Sequence, residues 1–428
     1  MRTRFSRIPK VEELETREVL STYYVSTTGL DTALGNSLNA AWRTLQHAVD
    51  NVKAGDIILV ESGTYVGCRI GSSGTSTAPI TLEADKGAKV LVNKPGPKNY
   101  HGSDIEVEKF GGTVSYWTIK GLEVTDAPKD AAIDIRGTNH ITISNCYCHN
   151  NYRWGIFLAF SNHPTLTNNH CSYSTTQHGI YDSNSGDYAT VTGNICDHNH
   201  GCGIQFNGDA SQGGKGYMVG NLIAGNTLYD NGAGGGAALN CDGVVNSTIE
   251  NNLLYNNQAG GIVLYKGNSA KGSTGNIVVN NTVIMAAKSR WAVNINNGST
   301  GNKLYNNIFV EPDTRHGCIE IDSSSLSGFV SDYNIFSGST YLSVDLGTTR
   351  LTLSSWRTKT NQDKHSLTAA LDSLFVNYLA NDYHLSATSP AINKGTATDA
   401  PSKDLDGASR PYGGAYDIGC FEYHGLKL

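Results

Sequence analysis

The stretch HGIYDSNSGDYATVTGNICDHNHGCGIQFNGDA, residues 178–210, holds one complete cycle of the pattern that decides the fold. Gly179 and Ile180 open it, Asn194 turns it, and Gly203 and Ile204 open it again 24 residues later. Aligned along the chain, Ile133, Ile156, Ile180, Ile204, Leu239, Ile262, Val293 and Ile319 form one column, with spacings of 23, 24, 24, 35, 23, 31 and 26. A second column, read independently, is Asn145, Asn169, Asn194, Asn226, Asn252, Asn281, Asn307 and Asn334. The two columns widen at the same places, as a solenoid with insertions does.

Each unit reads strand, turn, strand, Asn turn, strand, without a helical segment. That excludes leucine-rich, ankyrin and βαβ arrays and leaves an all-β parallel β-helix, in which stacked Asn side chains hydrogen-bond from coil to coil. The Ile column then faces inward, and residues one and three places later face outward.

Composition agrees. Only 16% of the 428 residues are charged, against roughly 25% in an average soluble protein, and 48 are glycine. A net charge of -6 gives no long-range attraction for nucleic acid or anionic lipid. No apolar run is long enough to span a membrane. The nine cysteines lack the paired spacing of zinc sites and read as buried thiols.

Residues 1–22 read as an N-terminal sorting segment. MRTRFSRIPK lacks the apolar stretch of a secretory signal, and VEELETREVLS resembles the segment that precedes the mature domain of many exported bacterial proteins. The β-helix is expected over 23–340, opened by a capping helix at 39–52 in which Trp42, Leu45, Val49 and Val52 share a face. A C-terminal cap segment is expected over 341–428. With both coil ends blocked, a monomer is expected.

At these columns the chain resembles the right-handed parallel β-helix of the pectin-lyase-like superfamily. DYHLSATSPAINKGT and DLDGASRPYGGAYDIGCFEY resemble the C-terminal caps of bacterial β-helix-repeat proteins. The superfamily holds lyases, epimerases, hydrolases, tailspikes and non-enzymatic surface proteins, so the site must choose among them.

The coil opened at Ile204 is enlarged, its excess shared between the glycine-rich DASQGGKG and the glycines of NGAGGGA, and such an insertion is expected to wall a binding groove. Around it Gln205, Asn207, Asn240 and Asp242 become neighbours on the outward face, with Asp209, Lys215, Tyr265 and Lys266 at the edges. An oxygen-rich group of this kind suits Ca²⁺, with Asp209, Asn240 and Asp242 as ligands. The resemblance implies Ca²⁺ held by Asp, Asn and Glu on this face and a Lys or Arg base, which removes the C5 proton of a uronate whose carboxylate the cation neutralises. Lys266 and Lys215 are the candidates for that base. His178, Tyr181 and Asp182 form a second polar group beside the groove, with His178 and Tyr265 as further catalytic candidates. Tyr181, Asp182, Gln205, Asn207, Asn294 and Arg290 complete the expected substrate-binding set.

The expectation is therefore a secreted or surface-bound bacterial protein that binds an acidic polysaccharide and cleaves it as a Ca²⁺-assisted lyase. Its alternatives are a uronate C5-epimerase, a non-catalytic glycan-binding or scaffold protein, and a glycoside hydrolase.

Overall fold

The computed structural model describes residues 20–338 and 342–425, so the sorting segment lies outside the described residues up to position 19. Three parallel sheets run along the solenoid. Sheet one begins at Thr22–Val25 and has 12 strands, sheet two begins at Gly63–Tyr65 and has 12, and sheet three begins at Cys68–Ile70 and has 11. A single coil passes from Ile180–Ser183 in sheet three to Thr190–Thr192 in sheet one, Ile195–Asp197 in sheet two, and back to Ile204–Asn207. Among the described residues no helix is long and apolar enough to cross a membrane.

The inward column is the register of sheet three. Ile133, Ile156, Ile180, Ile204, Leu239, Ile262, Val293 and Ile319 are successive partners, all with 0% exposure. Each contributes about 1.5–3 kcal/mol by leaving water. Between sheets one and two, Asn169, Asn194, Asn226, Asn252, Asn281, Asn307 and Asn334 form a buried amide ladder. Each donates Nδ2–H to the Oδ1 of the next at 2.9–3.1 Å.

Asn145 does not join that ladder; Cys146 takes the slot, its N–H donating to Asn169 Oδ1 at 3.0 Å. Asn145 has φ 53° and fills the left-handed position that precedes each ladder residue, as do Asn168, Asn251, Asn280 and Asn306. Asn suits both jobs, the turn through its tolerance of positive φ and the ladder through its amide, so spacing alone misassigned this one by a residue. Two further ladders run at the other corners, through Asn199, Asn231 and Asn257 and through Asn276 and Asn302.

Asp182 is corrected from the outer face to the interior. It pairs in register with Leu158 and Phe206 and is 1% exposed, and neither carboxyl oxygen has a partner. Burial, with Asp187 nearby, pushes its carboxyl well above the ordinary range. The nine cysteines are all buried and free, with Cys148, Cys171 and Cys196 stacked in register inside sheet two.

The N-terminal helix is shorter than expected. It spans Leu45–Asn51, with Thr44 as N-cap accepting from the His47 N–H. Asp31 takes the N–H groups of Arg43 and Thr44, which holds the preceding turn extended, and Trp42 forms a parallel bridge to Val25. Trp42, Leu45, Val49 and Val52 are buried as the pattern requires.

The segment after 341 divides in two. Leu342–Ser343 and Leu367–Thr368 still add strands to sheets three and two, and the helix Leu353–Thr360 between them buries Trp356 against the last coil. From Leu371 the chain turns back and lies along the outside of sheet two, where Leu374, Phe375, Tyr383, Ile418 and Phe421 pack on Leu253, Ile284, Ile308 and Ile335. Asn280 donates to the carbonyls of Asp417 and Gly419, and Asn306 to that of Thr396. The tail is a lateral strap as well as an end cover.

Asn252→Ala would leave the buried Asn226 N–H and an Asn226 Nδ2–H without their acceptor. It should cost about 1–3 kcal/mol for each such group, read from the denaturation midpoint. Asp182→Asn should do the opposite. A carboxyl that is neutral inside the fold and ionised outside it loses stability as pH rises above its unfolded value of about 3.9. The variant's melting temperature should therefore match the parent's near pH 4 and exceed it increasingly toward pH 8.

Candidate active site

The outward face of sheet three carries one cleft of 370 Å³ on its N-terminal coils, lined by His101, Glu108, Lys109, Arg136, Phe160 and Gln212 among others. Its floor comes from successive strands. Glu106, Asp134 and Phe157 are register neighbours in the first outward column, and Arg136 pairs with Ala159 in the second. The Arg136 Nε donates to both oxygens of Asp134 at 2.9 Å, and an NH group reaches Asp130 at 3.3 Å. Its guanidinium lies 4.6 Å over the Phe157 ring. Arg136 is thus fixed on one side by carboxylates and on another by an aromatic face, with an edge toward the cleft.

Glu106 positions the opposite wall. Its carboxylate accepts the N–H groups of Tyr100, His101 and Gly102 at 2.6, 2.7 and 3.1 Å. That turn sets the His101 ring 3.0 Å from Glu108 through Nε2. Burial raises the Asp134 carboxyl to about 8 despite Arg136 beside it, and raises Asp130 as well, against the pull of Arg136 and Arg153. The site is therefore short of positive charge relative to its buried acids.

Among the described residues, His101, Asp130 and Asp134 form the one group whose ligating atoms lie within 4.8 Å of one another. Asp130 Oδ1 has no hydrogen-bond partner, which favours an added cation. The set nevertheless fits Ca²⁺ poorly. That ion takes six to eight oxygens, whereas here an imidazole supplies one of three donors, Glu106 is spent on backbone N–H groups, and Arg136 already bridges the two aspartates. Arg136 is the positive charge this geometry offers a ligand.

The glycine-rich insertion walls the same cleft. Asp209 caps its short turn, accepting the Ser211 N–H at 2.9 Å, and the turn carries Gln212 into the lining. The loop folds back toward earlier coils. Its Lys215 ammonium pairs with Asp187 at 2.6 Å, and the Gly216 N–H donates to Ser185 at 2.8 Å. Gly214 has φ 72° and sits so close to Ser185 and Phe160 that a Cβ would crowd both.

Most residues singled out from the sequence lie farther along. Asn240 donates to Gln205 at 2.6 Å and to the Tyr265 hydroxyl at 3.0 Å, and Asn207 to the Tyr181 hydroxyl at 3.1 Å. These five do share one outward face, as two small amide and phenol clusters. Asp242 serves a turn instead of standing open to a metal, accepting the N–H groups of Gly267 and Asn268 at 2.8 and 2.7 Å. Asp209 is occupied by its own cap. Tyr265 is pushed up to about 12 by burial and by Asp242.

Lys215 is an ion-pair staple. Lys266 follows Tyr265, which stands five rungs from Arg136, about 24 Å at 4.8 Å per rung. His178 is turned away from base chemistry: its Nδ1 accepts the Cys202 N–H at 2.8 Å, which puts the proton on Nε2, and burial lowers its value to about 4. Asn294 is buried, donating to the Glu320 carbonyl, and Arg290 lies over Trp291. The cleft residues His101, Glu108 and Lys109 escaped the sequence reading because the coil of 99–112 has no ladder Asn to align it. Asp134 and Arg136 stood in the outward columns, and their i, i+2 pairing was the available signal.

The family described as "Pel9A-like, right handed beta helix region" matches residues 23–212, which contain the whole cleft from His101 to Gln212. A curated relative, pectate lyase PEL9 of Emericella nidulans, is 30% identical over 145 residues, 32% of this chain and 35% of that protein. The match thus spans about a third of the relative's length. Among solved structures, pectate lyase Pel9A superposes with a TM-score of 0.66 at 18% identity, covering 94% of this chain and 96% of the other. XylC in complex with xylose gives 0.54 at 11% identity, covering 94% and 98%. The chain is a right-handed parallel β-helix, similar over residues 23–212 to the Pel9A-like β-helix family and in fold to pectate lyase Pel9A.

Proposed function

We propose that this protein is a polysaccharide lyase that cleaves beside a uronate by β-elimination, outside the cell, as a monomer. The observation that carries the reading is the convergence of Arg136, the His101–Glu108 pair and Lys109 on one cleft of sheet three. The likeness of residues 23–212 to a pectate-lyase-type β-helix supports it.

In this reading the substrate carboxylate docks on the free edge of Arg136. The guanidinium offsets the negative charge that grows on that carboxylate as the C5–H bond breaks, and preorganised charge of this kind is where most of the acceleration arises. His101, oriented by Glu108, accepts the C5 proton. The electron pair forms the C4–C5 double bond, the C4–O4 bond breaks, and Lys109 protonates the departing oxygen. A positioned base contributes about 10²–10⁴-fold. Phe110 and Phe160 at the cleft rim supply apolar surface for a sugar ring. With Arg136 already on Asp130 and Asp134, cleavage should persist in chelator and gain nothing from added Ca²⁺.

The test is ultraviolet absorbance of the unsaturated product on uronate-containing polysaccharides. Arg136→Ala and His101→Ala should each lower kcat/KM by about 10²-fold or more, with melting temperature reported alongside. Lys266→Ala should leave the rate unchanged. Deuterium exchange at C5 without absorbance would identify an epimerase instead, and neither signal would leave a glycan-binding protein.

A further inference from the structure

The floor beyond the cleft bears on which polymer is cut. Past Phe157 the first outward column of sheet three continues with Tyr181, Gln205, Asn240, Val263, Asn294 and Glu320. Past Arg136 the second continues with Ala159, Ser183, Asn207, Asp242 and Tyr265, and Asp322 lies two residues beyond Glu320. Neither column contains a lysine or arginine over this length. Lys215, at the edge of the floor, is paired with Asp187, and Lys271 lies over the Tyr217 ring.

A polyuronate lying on this floor would set its carboxylates on amides and phenols, and then beside Asp322. Like charges brought together at an interface cost several kcal/mol. The amide and phenol groups of Asn207, Tyr181, Gln205, Asn240 and Tyr265 suit sugar hydroxyls, which both donate and accept.

Resting on the reading of the cleft as a uronate site, we propose that the natural substrate is a heteropolysaccharide. In it the cleaved uronate is followed, over the floor from Tyr181 to Asp322, by uncharged units: neutral sugars or esterified uronates. An uninterrupted polyuronate is the poor substrate. The geometry handles one carboxylate at Arg136 and reads hydroxyls thereafter.

The experiment compares kcat/KM of the full chain, by product absorbance, on three polymer types: polygalacturonate and polymannuronate, the same polygalacturonate partly methyl-esterified so that free uronates remain, and polymers alternating a uronate with a neutral sugar. The expected result is cleavage of an alternating or esterified polymer at least about tenfold faster than of either polyuronate, the faster of the two identifying the uncharged unit. Asn240→Lys should narrow that gap by improving the polyuronate alone. Polyuronate cut as well as or better than the other two overturns this inference and leaves the lyase reading intact. Silence on every polymer overturns the lyase reading, and this inference with it.

Discussion

Everything in this molecule depends on coil-to-coil register, and register is held by buried amides. At the corner between sheets one and two, each ladder Asn gives its amide hydrogen to the next Asn, whose Oδ1 also takes the first residue's backbone N–H. Sliding one coil by a residue would break both bonds and turn the inward Ile column toward water. Insertions are accepted only where these corners stay aligned, so the enlarged coil after Ile204 bulges outward and leaves the core column undisturbed.

That rule explains what was legible. The Ile and Asn columns fixed the fold because hydrophobic burial and amide pairing admit few residue types at those positions. The outward columns followed from them by alternation, and the neighbours Gln205, Asn207, Asn240 and Tyr265 do meet. Asp182 shows the limit of polarity as a guide: its charge suggests the surface, while its place between Leu158 and Phe206 puts it inside. The coil of His101 and Glu108 carries no ladder Asn, and its wall is set by the turn that Glu106 holds through three backbone N–H groups. A turn held by a side chain leaves no periodic trace.

The insertion and the cleft belong together. Asp209, Lys215 and the glycines around them invite a catalytic reading when seen as a list of polar residues. In three dimensions Lys215 and the Gly216 N–H anchor the loop on Asp187 and Ser185, and the functional yield is Gln212 at the cleft. The loop shapes the site from a coil whose own floor is amide and phenol.

The strap along sheet two changes how such a rod comes apart. Solenoids held only by nearest-neighbour contacts fray from an end, one coil after another. Here Lys403 is tied to Asn251, Gly419 to Asn280 and Thr396 to Asn306, in three successive coils. Those coils are splinted into a block that must open together. The coils carrying the cleft lie outside the splint, so on this logic the two halves of one continuous rod differ in cooperativity: a block toward the C-terminus that opens as a unit, and a half whose coils are held by nearest neighbours alone.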